Sequence, residues 1–246
     1  MDTGRQHICH GAEVLPDGTI KEYVLTRQQY YEESGIFEAR RNTAKWNLEI
    51  KEALEAMSRA SSKGASIQKH KTFLKTFFEV KTALWNEYLK ARWARQKMTL
   101  YSKKQKTLSN YFNRITKADP TKRVVMAYGA AKFDPTGKGE VSVPTSKIYR
   151  ETILRFKTYL VDEFRTSKIC YKDDSVLRLV STKEKPRTGL RGLLWCGSTM
   201  NKFFVDRDLN AALNIRRCLI DPVRPLSLTR SGQPAIRQSI GITIRW

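Results

Sequence analysis

Acid is what this sequence has little of: 24 aspartates and glutamates stand against 46 lysines and arginines, leaving a formal charge of +22. Solubility alone asks for far less in a chain of this size, so a polyanion is the expected partner. Cysteine is also sparse. Cys9, Cys170, Cys196 and Cys218 are scattered, and the opening Met-Asp-Thr-Gly-Arg-Gln-His has no apolar leader run, so a secreted disulfide framework is not expected. Apolar runs approaching the roughly 18 residues of a membrane span are missing, which predicts a soluble chain with no membrane partner. Repeats of 20–50 residues are missing too, which excludes a solenoid.

What is present is enough for a core: 246 residues, 40% hydrophobic and 10% aromatic, suit one large domain or one domain carrying insertions. Residues 7–26 read as a hairpin around Pro16-Asp17-Gly18. Trp46, Ile50, Leu54 and Met57 recur at helical spacing within 36–60, and a second helical run is read over 66–96 with Leu74, Phe77, Lys81, Leu84, Trp85 and Tyr88 on one stripe. A third helix is read over 101–115. Then follow a strand at 124–128, a Gly/Pro loop through Pro135 and Gly139, a helix at 145–158, a strand at 159–161, a polar stretch over 166–204 and a helix from Asp208 to Leu219. This order predicts an α/β layered fold with helical and loop insertions.

Phosphodiester cleavage by two divalent cations needs hard oxygen ligands gathered from separate chain segments. Asp2 precedes Gly4 at a chain turn, Glu163 closes an apolar strand, and Asp208 opens a helix beside Asp206. Asp208 also suits a plain helix N-terminal carboxylate. Asp2-Thr3-Gly4 imitates the aspartic-protease triplet, but the second triplet that chemistry requires is not in the chain. His7, His10 and His70 have no metal spacing with the cysteines and read as surface or packing residues, and Cys9 and Cys218 as core thiols.

Asp206-Arg207-Asp208-Leu209-Asn210-Ala211-Ala212-Leu213-Asn214-Ile215 resembles the third nuclease motif of the TnpB transposon nucleases and their eukaryotic relatives, the Fanzor proteins. Val161 to Cys170 is similar to the Fanzor segment entering its zinc ribbon, and Asp2-Thr3-Gly4-Arg5 to the first nuclease motif. The resemblance covers nearly all of the chain but only the C-terminal nuclease half of a family member, with the recognition lobe and first core strand expected upstream of Met1. It implies an RNase-H-like (RuvC-like) mixed sheet over 1–220, interrupted by a basic helical insertion at 66–118 and a degenerate zinc-ribbon-like insertion at 166–204, with an irregular tail at 221–246. It implies an RNA-guided DNA endonuclease in which Asp2, Glu163 and Asp208 are catalytic and hold two Mg²⁺ ions.

The strand Val124-Val125-Met126-Ala127-Tyr128-Gly129 lacks the acid that TnpB proteins carry there, so Glu163 is read as the relocated ligand, as in Fanzor-like members. Strand alternation aims its rival Asp162 at the opposite face. The zinc site is half supplied, by Cys170 and Cys196, with Asp173 and Thr199 where partner cysteines are expected. Lys103, Lys104, Lys106, Lys122 and Arg123 are read as nucleic-acid contacts, and Arg165 and Lys168 as phosphate-positioning groups. Partners are therefore a DNA substrate and a guide RNA, in the nucleus of a eukaryotic host or the cytoplasm otherwise. The rival reading is a truncated or decayed transposon remnant that binds nucleic acid by charge without cutting it.

Overall fold

The computed structural model describes residues 1–4, 7–117, 123–130, 144–181, 190, 192–199 and 202–230. Its chain divides into two compact units, Met1–Arg27 with Asn110–Trp246, and Gln28–Ser109.

The first unit is mixed α/β. Its hairpin forms where expected, β1 (His7–Val14) antiparallel to β2 (Ile20–Thr26). Asp17 accepts from Thr19 N at 2.8 Å and Gly18 takes φ 84°, a left-handed turn that glycine adopts without a Cβ clash. On the other side, β3 (Val125–Gly129) runs parallel to β4 (Lys157–Val161). Met1 and Asp2 join the two pairs. Asp2 exchanges both backbone hydrogen bonds with His10 at 2.9 Å, while Met1 accepts from Gly129 N at 3.0 Å and donates to Ala127 O. The hydrogen-bonded order is therefore β2, β1, Met1–Asp2, β3, β4, with β1 antiparallel to its inner neighbour.

Among the described residues this unit holds two helices and a short 3-10 turn besides the last turns of a long helix introduced below. The helix Thr145–Arg155 crosses from β3 to β4, as a parallel pair requires, and buries Ile148 and Thr152. The helix Arg207–Ile220 packs on β1, β3 and β4, and its Ile215 and Cys218 meet Ala127, Val161, Ile169 and Leu228 in one apolar cluster. Leu228, in a short 3-10 turn (Leu226–Leu228), anchors the start of the segment expected to be irregular throughout. Residues 231–246 and the loop through Pro135 and Gly139 lie outside the described residues.

Between β4 and the last helix, the polar stretch folds as a three-stranded antiparallel sheet: β5 (Arg178–Leu179), β6 (Leu193–Gly197) and β7 (Lys202–Asp206). Cys170, Leu177, Leu194, Cys196 and Val205 form its own small core.

The second unit is helical. In chain order α1 (Arg27–Glu33), α2 (Ile36–Asn47), α3 (Lys51–Arg59), α4 (Ile67–Tyr88) and α5 (Ala91–Thr116) follow, which makes the helices of the first unit α6 (Thr145–Arg155) and α7 (Arg207–Ile220). The unit is larger than the expected 66–118 insertion because a 3-10 turn (Leu48–Ile50) and α3 supply Ile50, Ala53, Leu54 and Met57 to a shared core with Val80 and Leu84 of α4. The expected helix over 66–96 stops at Leu89. Glu87 is buried there and gathers Lys90, Arg92 and the Trp93 indole, an ionic corner that ends α4 while apolar periodicity runs on through it. Arg92, then Lys90 and Trp93, hold the Glu87 carboxyl well below the usual range.

Candidate functional site

Asp2 sits in the seam between the hairpin and β3, directly across from His10, and residues directly opposed on antiparallel strands share a face. Glu163 follows β4 by two residues. A Cβ built on Gly129 would fall 1.7 Å from Glu163 Oε1, so the missing side chain at the end of β3 is what lets this carboxylate lie over the strand. Asp208 stands in the first turn of α7. It is not the cap: Asp206 takes that position and accepts from Asp208 N and Leu209 N, both at 2.9 Å, leaving the Asp208 carboxylate to point elsewhere.

These three acids interact. Burial first, then the charges of Glu163 and Asp208, push the Asp2 carboxyl up to about 8, against a smaller opposing pull from Arg207 and the chain's amino group. Like charges held close in a partly desolvated site do this when the protein supplies too little positive charge of its own.

The motif around Asp208 also fixes the turn after Glu163. Asn210 and Asn214 are fully buried, and the Nδ2 of each donates to both Thr166 O and Ile169 O at 2.7–2.9 Å. Asn210 Oδ1 accepts from Tyr171 N at 3.1 Å. One helix thus carries Asp208 and clamps the turn that starts at Glu163, where Thr166 bonds back to the Glu163 carbonyl. Within that turn Arg165 takes φ 58°, a conformation costly for a residue with a side chain. Arg165 and Lys168 are exposed. Asp162 does different work: it accepts from Arg230 Nε and Nη2 at 2.8 and 3.0 Å, and that guanidinium holds its carboxyl below the ordinary range.

Two of the three histidines, His7 and His10, do more than the expected packing or surface role. His7 Nδ1 lies 2.9 Å from Asp208 Oδ2, and His10, only 2% exposed, places Nε2 2.9 Å from Glu22 Oε2. Residues three apart on a regular strand face opposite ways. Here the register slips between His7 and Cys9, a β-bulge that restores a common face, and the two rings meet edge to face at 5.2 Å. His-x-x-His in β1 is the available signal, but regular alternation would put residues three apart on opposite faces of a strand. His70 lies against Phe73 in α4, and Cys9 and Cys218 are buried thiols.

Cys170 and Cys196 also meet, with Asp173 as the third member, each offering a ligand atom within 4.8 Å of the others. Asp173 occupies the place of a ribbon cysteine, but its carboxylate is already engaged: Oδ1 accepts from Ser175 N at 3.1 Å and Ser175 Oγ at 2.7 Å, and Oδ2 from Ser198 Oγ at 2.5 Å. Hydroxyl groups stand around this acid where a zinc ribbon would have a cation.

Of the basic residues read as nucleic-acid contacts, Lys103 is paired with Glu38 at 3.0 Å, Lys104 is half-buried, and Lys106 and Arg123 are exposed. Arg123 lines a concavity with Arg155 and Lys157. Lys122 lies outside the described residues.

Among the described residues no helix is long and apolar enough to cross a membrane. No known family model matches the chain, and no curated protein matches it.

Proposed function

We propose that this chain carries the nuclease centre of an RNA-guided DNA endonuclease of the Fanzor/TnpB type, on an RNase-H-like (RuvC-like) fold. The observation that carries the reading is the electrostatic coupling of Asp2 to Glu163 and Asp208, acids from segments more than 40 residues apart, which adds to burial in raising the Asp2 carboxyl to about 8. The strand order supports it: an antiparallel hairpin beside a short central strand, then two parallel strands with a helical crossover, puts the acids at one end of the sheet and on the helix that covers it.

The donor set fits Mg²⁺. Three carboxylates are hard oxygen ligands, and a raised Asp2 carboxyl is what a site short of positive charge displays. Bound Mg²⁺ supplies an activated water and stabilisation of the leaving 3′ oxygen. The chain's own residues do the rest. Gly129 leaves room for Glu163, Asn210 and Asn214 hold its turn to α7, and Asp206 caps that helix so that Asp208 faces the site. Arg165 and Lys168 stand exposed on the same turn, where they attract a phosphate to the carboxylates. The net charge of +22 favours DNA and a guide RNA as partners, with salt-dependent affinity. Activity belongs in the nucleus of a eukaryotic host, or the cytoplasm of a prokaryotic one.

The test is cleavage of single- and double-stranded DNA by the chain with Mg²⁺, alone and joined to a guide-binding lobe, beside Asp208→Asn. Metal-dependent cutting that the substitution abolishes is expected. Salt-dependent binding with no cutting in any arrangement would replace this reading with a charge-only remnant.

A further inference from the structure

Beside the three carboxylates stands a second donor set of different chemistry. His7, His10 and Asp208 each bring one ligand atom to within 4.8 Å of the other two. His7 Nδ1 donates to Asp208 Oδ2 at 2.9 Å, so a cation that takes both atoms displaces this one proton and finds the two donors already side by side.

His10 supplies the independent observation. It is almost fully buried, its Nε2 faces the Glu22 carboxylate at 2.9 Å, and its Nδ1 has no hydrogen-bond partner among the described residues. An ionised carboxylate only accepts, so the ring proton resides on Nε2 and the bare lone pair on Nδ1. A carboxylate behind a histidine that orients the ring and leaves its other nitrogen unprotonated is the support that imidazole ligands have in metal sites. A buried lone pair with nothing to accept from is otherwise destabilising.

We infer that His7, His10 and Asp208 form a mixed nitrogen–oxygen site for a divalent first-row transition cation, with Asp208 common to this set and to the carboxylate set. Imidazole nitrogen is a borderline ligand that Mg²⁺ takes poorly and Mn²⁺, Co²⁺ and Zn²⁺ take well. The inference rests on the proposed function only through Asp208; the histidines bind a cation whether or not the chain cuts DNA. The β1 bulge is the enabling device, since without it His7 and His10 face opposite sides of the hairpin.

Mn²⁺ binding by the full chain, read by electron paramagnetic resonance with resolution of nitrogen hyperfine couplings, tests the site directly. Wild type is expected to bind Mn²⁺ with imidazole ¹⁴N couplings and to keep it against a large excess of Mg²⁺. His10→Gln removes a coupling and weakens Mn²⁺ by about 10-fold or more. His7→Gln, at a part-exposed position, does the same if His10→Gln misfolds. Glu22→Gln, which removes the orienting charge but no ligand, weakens Mn²⁺ while the couplings remain. Mn²⁺ bound without nitrogen couplings, or bound equally by His7→Gln and wild type, overturns the inference and leaves the carboxylate nuclease intact. Nitrogen-coupled Mn²⁺ in a chain that cuts no DNA does the reverse.

Discussion

Two clusters among the described residues gather potential metal ligands, and they are finished in opposite ways. Around Asp173, two serine hydroxyls and a backbone N–H spend the carboxylate's lone pairs on hydrogen bonds, and the neighbouring thiols pack in an apolar core. Around Asp2, the acids repel one another and a buried imidazole nitrogen has no partner among the described residues. Ligand-type residues within reach of one another are common to both. The difference lies in unspent electrostatics: a cation has little left to neutralise at Asp173 and much at Asp2.

The comparison breaks most sharply through the acids themselves. Glu163→Gln is expected to reduce Mg²⁺-dependent cleavage to background in a gel assay, while Asp162→Asn, which loosens the Arg230 pair and keeps an oxygen to accept from Phe164 N, leaves it within a few-fold. Interchanged results would move the ligand from Glu163 to Asp162. Gly129→Ala comes next. Its methyl group occupies the space of Glu163 Oε1, so the carboxylate is displaced and cleavage falls by about 10–100-fold, the scale on which supports of metal ligands act, with the fold retained by circular dichroism.

Stability in the absence of metal sharpens the same contrast. The folded Asp2 carboxyl titrates near 8 and the unfolded one near its ordinary value, so the folded state binds the proton more tightly. Its stabilising contribution is full below pH 4 and is lost as pH rises toward 8, at about 1.4 kcal/mol per unit of difference before solvent screening reduces it. Melting temperature without divalent cations is therefore expected to fall from pH 5 to pH 9, Asp2→Asn to flatten that slope, and Mg²⁺ to raise the melting temperature most at the alkaline end. A slope unchanged in Asp2→Asn would detach it from this residue.

At the hydrogen-bonded cluster, chelation is expected to leave the melting temperature unchanged, whereas Asp173→Ala removes the carboxylate that accepts from Ser175 and Ser198 and lowers stability by about 1–3 kcal/mol. A chelator that melts the chain as far as the substitution does would show a resident cation there. Asn214→Ala is the smallest change, near the lower end of that range, because Asn210 still donates to the same two carbonyls.

Periodicity and turn chemistry made much of the fold legible. The hairpin, β3, α6, β4 and α7 fall within a few residues of where apolar spacing puts them, since each buries one face against a neighbour. The break at Leu89 was hidden because the Glu87 corner is made by side chains three to six residues ahead, while apolar spacing continues past it. The three acids stood out as chain-segment ends, but their meeting depends on Met1–Asp2 bridging two strand pairs, a contact across more than 120 residues.

By itself, then, the sequence determined a basic chain of mixed α/β elements, the N-terminal turn of α7 and the residues able to act as ligands, because charge, helix spacing and side-chain chemistry are local properties. Which of those residues face one another was decided only by the tertiary structure. A one-residue slip in β1 turned His7 and His10 to a common face, the bare Cα of Gly129 admitted Glu163, and Asn210 and Asn214 tied the Glu163 turn to the helix of Asp208. Each depends on partners far away in the chain, and local periodicity carries no record of them.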